Sequence, residues 1–204
     1  MEPIRNSEKI FSEDVLAYAL YKQCAARGSK MFLQLKHNLS PTDRRSWSYW
    51  FAPDVDVLEI RSDNTIVAYE LKGARKHKSE IGWPGYYDGL NQALAYLNLP
   101  IVWENDHPKF KGGAFDYVYL VHARPKLELS DNERRVLSLV PMIGFGVMLL
   151  DGTFKSILGP TENPISDKEA KSHFLANLDT LDNFSTSSRT FRRVKGVGES
   201  YFGG

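Results

Sequence analysis

The chain has 204 residues, with 26 Lys and Arg against 25 Asp and Glu, for a formal charge of +1 at neutral pH. That length suits one domain, and an apolar fraction of 42% excludes a fully disordered or fibrous chain and provides a core that needs no staple. A single cysteine, Cys24, excludes a disulfide framework or an all-cysteine zinc site within the chain.

The first element is a helix expected from about Ser7 to Ala26. Ile10, Phe11, Val15, Leu16, Ala19 and Leu20 recur there at helical spacing, and Gly28 supplies a C′ position. Met31 to Lys36 alternates as a strand, and Ser40-Pro41-Thr42-Asp43 marks a loop. Two strands, about Asp54 to Arg61 and Thr65 to Lys72, flank Ser62-Asp63-Asn64 as a hairpin. A basic loop then leads to a helix from Trp83 or Tyr86 to Leu99, and Phe115 to His122 reads as a strand. Ser130 to Val140 opens on a capping box. Phe145 to Leu150 and Thr153 to Leu158 form a second hairpin around Asp151-Gly152, and a helix from Ser166 to Leu178 starts with another capping box.

From Asn183 the composition turns basic and poor in aliphatics. This predicts a flexible tail over 183–204 behind a single domain over 1–182. The order of elements predicts an α/β fold with a mixed central β-sheet flanked by helices. No apolar run approaches the roughly 18 residues of a membrane span, and the N-terminus lacks the pattern of a signal peptide. A soluble intracellular protein without a membrane partner is the expectation.

The chemistry concentrates on the first hairpin. A three-residue turn at Ser62 to Asn64 pairs Arg61 with Thr65, which sets Asp56 opposite Glu70 and Asp54 opposite Lys72 on one face. Two carboxylates so close repel unless a positive charge neutralises them. Oxygen ligands at short range suit a hard cation such as Mg²⁺ or Mn²⁺, which keeps water and phosphate oxygens in its other positions. Lys72 is then placed to orient that water or to stabilise charge on a phosphoryl group in the transition state.

Asp56, fourteen residues before Glu70-Leu71-Lys72, resembles the signature of the PD-(D/E)XK nuclease superfamily. Asp54, directly after Pro53 and sixteen residues before Glu70, is the alternative first aspartate. Gln92-Ala93-Leu94-Ala95-Tyr96 has the form QxxxY, similar to the extra motif of the RecB-like branch, and it follows the ExK strand as in that branch. The resemblance covers about Glu13 to Val121. It implies a restriction-endonuclease-like core and metal-dependent hydrolysis of DNA, double-stranded or branched. Small stand-alone archaeal-virus and repair members share this size, so the host cytoplasm is the implied location if the chain is viral.

The resemblance also implies roles. Asp56 and Glu70 would be metal ligands, assisted by Asp54 or by an acid of the first helix, Glu13 before Glu8. Gln92 and Tyr96 would position water or phosphate. At 100° per residue Asp88, Gln92 and Tyr96 fall within about 80° on one helix face. Leu90, Leu94 and Leu97 gather opposite, so the leucines should face the core and the Gln–Tyr pair should face outward.

Arg75, Lys76 and Lys78 are candidate phosphate contacts in the basic loop, where Gly73 allows a close backbone approach or a sharp turn. Trp83, Tyr86 and Tyr87 are candidates for base stacking, although packing accounts for at least two of them. The histidines show no metal-ligand spacing, and Cys24 reads as a packed thiol. A homodimer is compatible with a small enzyme acting on two strands. The competing reading is a non-catalytic nucleic-acid-binding or assembly module on the same fold. The intact Asp, Glu and Lys favour the enzyme.

Overall fold

In the computed structural model, residues 10–36, 47–77, 80–179 and 189–203 are described. Glu8, the Ser40–Asp43 loop, Lys78 and residues 183–188 lie outside them, as does the side chain of His77. In chain order the first elements are α1 (Glu13–Ala25), β1 (Lys30–Leu35), β2 (Trp47–Trp50), β3 (Val55–Ile60) and β4 (Ile66–Lys72). A small hairpin β5 (Arg75–His77) and β6 (Glu80–Gly82) follows, then α2 (Leu90–Tyr96), β7 (Ile101–Glu104), β8 (His107–Lys111) and β9 (Tyr117–Ala123). The chain continues with α3 (Asp131–Leu137), β10 (Ile143–Met148), β11 (Phe154–Leu158), α4 (Lys168–Ala176) and α5 (Arg189–Phe202).

Six strands form a mixed sheet in the order β1-β3-β4-β9-β10-β11. The β4–β9 and β9–β10 pairs are parallel, and the other neighbours are antiparallel. Every residue of β4 and β10 is buried, as expected of inner strands covered on both faces. α1 and α5 cover one face, where Leu16 and Leu20 of α1 share a core with Val57 of β3 and Tyr69 of β4. On the other face a second core joins Phe32, Leu120, Ala93 of α2, Phe174 of α4 and Tyr49 of the small sheet β2-β7-β8. The mixed sheet between helices is the α/β arrangement read from the order of elements. No helix among the described residues is long and apolar enough to cross a membrane.

Several boundaries differ from expectation for local reasons. α1 starts at Glu13 behind Ser12, so Ile10 and Phe11 precede the helix. α2 is only seven residues long, because Trp83 to Asp88 turn instead of coiling. Gly85 N–H donates to Asp88 Oδ2 at 2.9 Å in that turn, and Gly89 then enters α2 at φ +85°. The Ser130–Glu133 capping box forms as expected, whereas α4 is capped by Asp167, not Ser166. The expected flexible tail is, over Arg189–Phe202, a fourteen-residue helix lying on α1.

A buried polar cluster ties the C-terminal end of α1 to the sheet. Glu59 accepts from Tyr69 Oη at 2.6 Å and Ser29 Oγ at 2.7 Å, with Arg61 at 3.5 Å and Arg27 at 3.9 Å. Burial works against a charge here, but the two hydroxyl donors and the arginines hold Glu59 below the usual carboxylate range. Burial also pushes the neighbouring Cys24 thiol up to about 11, so Cys24 is a packed thiol.

Candidate functional site

The hairpin turn is the three-residue turn expected: Arg61 N–H donates to Thr65 O at 2.9 Å, and Asn64 takes φ +63°. Pairing runs from Ile60 opposite Ile66 to Val57 opposite Tyr69, the register that brings Asp56 level with Glu70. There the ladder ends and the two strands fork. Asp56 N–H turns to Tyr96 Oη at 3.2 Å, and Leu71 N–H donates to Asp56 Oδ2 at 2.9 Å. Tyr96 Oη fills the fork, its one proton shared between Glu70 Oε2 and Asp54 O, the latter at 2.7 Å.

The geometry corrects part of the expected orientation of α2. Leu97 is buried in the core and Leu90 packs against it as expected, but Tyr96 is 0% exposed and Leu94 is 37% exposed, so the tyrosine also packs inward and Leu94 faces out. Tyr96 therefore touches the Glu70 carboxylate and the backbone of Asp54 and Asp56 rather than an incoming phosphate. Gln92 is half-buried on the same helix, and no side-chain hydrogen bond ties it to another described residue.

Electrostatics at the fork follow from burial. Asp56 is pushed well above the carboxylate range by desolvation, then by the Glu70 charge, with Glu13 adding repulsion. Glu70 is raised by burial too, against the Lys72 and Tyr96 hydrogen bonds that favour its ionised form. Lys72 Nζ stands 2.5 Å from Glu70 Oε1. Glu13 reaches this group from the first turn of α1 because Gly73 has no side chain. A Cβ at Gly73 would strike the Glu13 backbone nitrogen and come within 2.6 Å of the Ser12 carbonyl carbon. The contact made at Gly73 is thus with the start of α1.

Lys72 is held from two sides. His122 is its partner in the parallel β4–β9 pair, and a Cβ at Gly89 would come within 2.6 Å of Lys72 Cε. His122 Nε2 lies 2.8 Å from Asp88 O, which can only accept, so Nε2 carries the proton. Burial pulls the His122 pKa down to about 4, which keeps the ring neutral beside Lys72. His122 is thus a structural residue that fixes the turn entering α2.

The structure brings Asp56, Glu70, Lys72 and Tyr96 together and sets Glu13 at their edge. Asp54 lines the adjoining groove with Asp56. Arg75 and Lys76 are exposed on β5, where Lys72, Arg75, Trp83 and Asp88 line a second cavity of 110 Å³. Ile81, Trp83 and Tyr87 are also exposed there, Tyr87 at 64%.

Sequence reasoning missed Gln34. It lies across β1–β3 from Asp56, between the Leu33–Val57 and Leu35–Val55 pairs, at φ +49°. A lone polar residue inside the apolar run Met31 to Leu35 was the available signal. Arg189 and Arg193 of α5, which also reach this groove, carried no motif.

Among the described residues no group of three or more His, Cys, Asp and Glu side chains is arranged to hold a metal. The donor chemistry of Asp56 and Glu70 nonetheless fits a hard divalent cation: a half-buried and a buried carboxylate whose mutual repulsion such an ion would relieve. In comparison with known proteins, the chain matches no family model, no curated protein and no solved structure.

Proposed function

We propose that the protein is a Mg²⁺- or Mn²⁺-dependent nuclease of the PD-(D/E)XK type that hydrolyses DNA phosphodiester bonds. The observation that carries this reading is the fork: Asp56 and Glu70 sit together beyond the last β3–β4 pair, with Lys72 on Glu70. Asp56 and Glu70 would hold the cation, with Glu13 or Asp54 assisting. Such a cation supplies Lewis acidity at a phosphoryl oxygen and lowers the pKa of water. Lys72 has three ammonium protons, of which Glu70 takes one, so others remain for a phosphoryl oxygen as its charge grows. Tyr96 holds the Glu70 carboxylate and the Asp56 backbone in place. Arg75 and Trp83, beside Lys72, suit a flanking phosphate and its base.

The test is one cleavage panel on supercoiled, linear, single-stranded and four-way-junction DNA, with Mg²⁺, Mn²⁺ or EDTA. Cleavage should require the divalent ion and disappear in Asp56→Ala and Lys72→Ala. A folded variant of either kind that cuts like wild type would sink the assignment. The second reading, a non-catalytic nucleic-acid-binding module, draws on the Lys72–Glu70 contact, which neutralises one carboxylate without any ion. It expects DNA binding that persists in EDTA and no cleavage of any substrate.

A further inference from the structure

The groove beside Asp54 and Asp56 is walled by the C-terminal helix. α5 docks on α1 through Phe191 against Tyr21, with ring centroids 5.1 Å apart, and on the segment before α1 through Tyr201 against Phe11, also at 5.1 Å. Val194 is fully buried between these contacts, and Gly198 lies against the Tyr18 ring. This apolar stripe fixes the rotation of the helix. It turns Arg189, Thr190 and Arg193 towards a groove of 580 Å³ whose other walls are Gln34, Lys36, Asp54 and Asp56.

Arg193 is held in place there. Its guanidinium lies 3.0 Å from Asp14 Oδ2 and donates to Gln34 Oε1 at 2.8 Å, yet its side chain remains 52% exposed. Both partners adjoin the fork, since Asp14 follows Glu13 and Gln34 lies across from Asp56. Arg189, one helical turn earlier, is exposed and makes no ion pair among the described residues. Lys36, Arg189 and Arg193 thus set three cations around a groove that contains two carboxylates. An arginine with unused donors beside a solvent-filled groove is suited to a phosphate, which takes two parallel N–H bonds.

We infer that α5 is a phosphate clamp: Arg189 and Arg193 bind backbone phosphates of the nucleic-acid strand next to the one that reaches Lys72. This assignment rests on the nuclease reading for the identity of the substrate. Arg189 supplies the main contact, and Arg193 supplies a second contact whose direction Asp14 and Gln34 set.

The test uses the full chain with Arg189→Ala, Arg189→Lys and Arg192→Ala. Arg192 is an exposed residue of the same helix that does not line the groove. Affinity for a fluorescent DNA strand is measured in EDTA across a salt series, and KM is measured with Mn²⁺. Arg189→Ala should weaken binding about 10- to 100-fold and flatten the salt slope by about one. Arg189→Lys should recover part of the affinity, and Arg192→Ala should bind within about twofold of wild type, because it leaves the specific contact intact. Equal losses for Arg189→Ala and Arg192→Ala would show diffuse charge and overturn the clamp, as would wild-type binding by Arg189→Ala. If wild type cuts DNA while Arg189→Ala binds normally, the clamp fails and the nuclease stands. Selective loss of binding in a protein that never cuts leaves the clamp standing and removes the nuclease.

Discussion

Tyr96 bonds through its hydroxyl to the Glu70 carboxylate and, with the same oxygen, accepts the N–H of Asp56. One buried phenol on α2 therefore sets both the side chain of one candidate ligand and the backbone of the other. Tyr96→Phe keeps the ring in its core position but leaves Asp56 N–H without that acceptor. We expect a loss of about 1–3 kcal/mol in chemical denaturation. Affinity for Mn²⁺ should fall about 10- to 100-fold in calorimetry, the usual scale for losing a partner that orients a ligand. Unchanged Mn²⁺ binding would show that Tyr96 does not set Glu70.

Asp56→Asn separates charge from shape. Its side-chain oxygen can still accept Leu71 N–H, but the repulsion from Glu70 and Glu13 is gone. In EDTA the variant should be more stable than wild type by about 1 kcal/mol, a rise of roughly 2–4 °C in Tm. Mn²⁺ should raise the Tm of wild type and not that of the variant. A wild type whose melting ignores Mn²⁺ counts against the metal site.

Gly73→Ala tests the approach of α1 to the end of β4. The new methyl group collides with the backbone at Ser12 and Glu13, so the start of α1 must move. Overpacking of this kind costs about 1–3 kcal/mol, and cleavage should fall because Glu13 leaves the fork. A variant with full stability and activity would remove Glu13 from the site.

The pH dependence of stability should carry the mark of His122. Its folded pKa of about 4 lies below the unfolded value near 6.5, so between those values the unfolded chain binds the extra proton. Its contribution is therefore complete above about pH 6.5 and is lost as pH falls towards 4, by about 3 kcal/mol in all. His122→Gln should flatten this leg of the profile relative to wild type in denaturant titrations. Parallel profiles for the two proteins would show that the histidine is not buried as a neutral ring.

The features legible in the sequence are those set by local chemistry. Ser62-Asp63-Asn64 defines a turn length, and with it the register that levels Asp56 with Glu70. Ser130 and Glu133 satisfy one another within a single helical turn. The orientation of Tyr96 was hidden because Gly89 starts α2 late and at a positive φ, so a helix of seven residues turns a different face to the sheet. α5 was hidden because its apolar stripe is aromatic and spaced among arginines. Only the rings of Tyr18 and Tyr21 on α1, with Phe11 just before it, make Phe191, Tyr201 and Phe202 into a packed face. The fork itself has no signature, since it depends on Tyr96 arriving from 40 residues away to take the Asp56 N–H.

α1 is anchored at both ends, by Gly73 against its first turn and by the Glu59 cluster beneath its last. Its thirteen residues make a strut about 20 Å long between these anchors. Glu13 rides on the near end of that strut, and Ser29, Tyr69 and Arg27 gather on Glu59 at the far end. The strut thus meets the sheet at two places, and the candidate carboxylate Glu13 sits at the end that Gly73 locates.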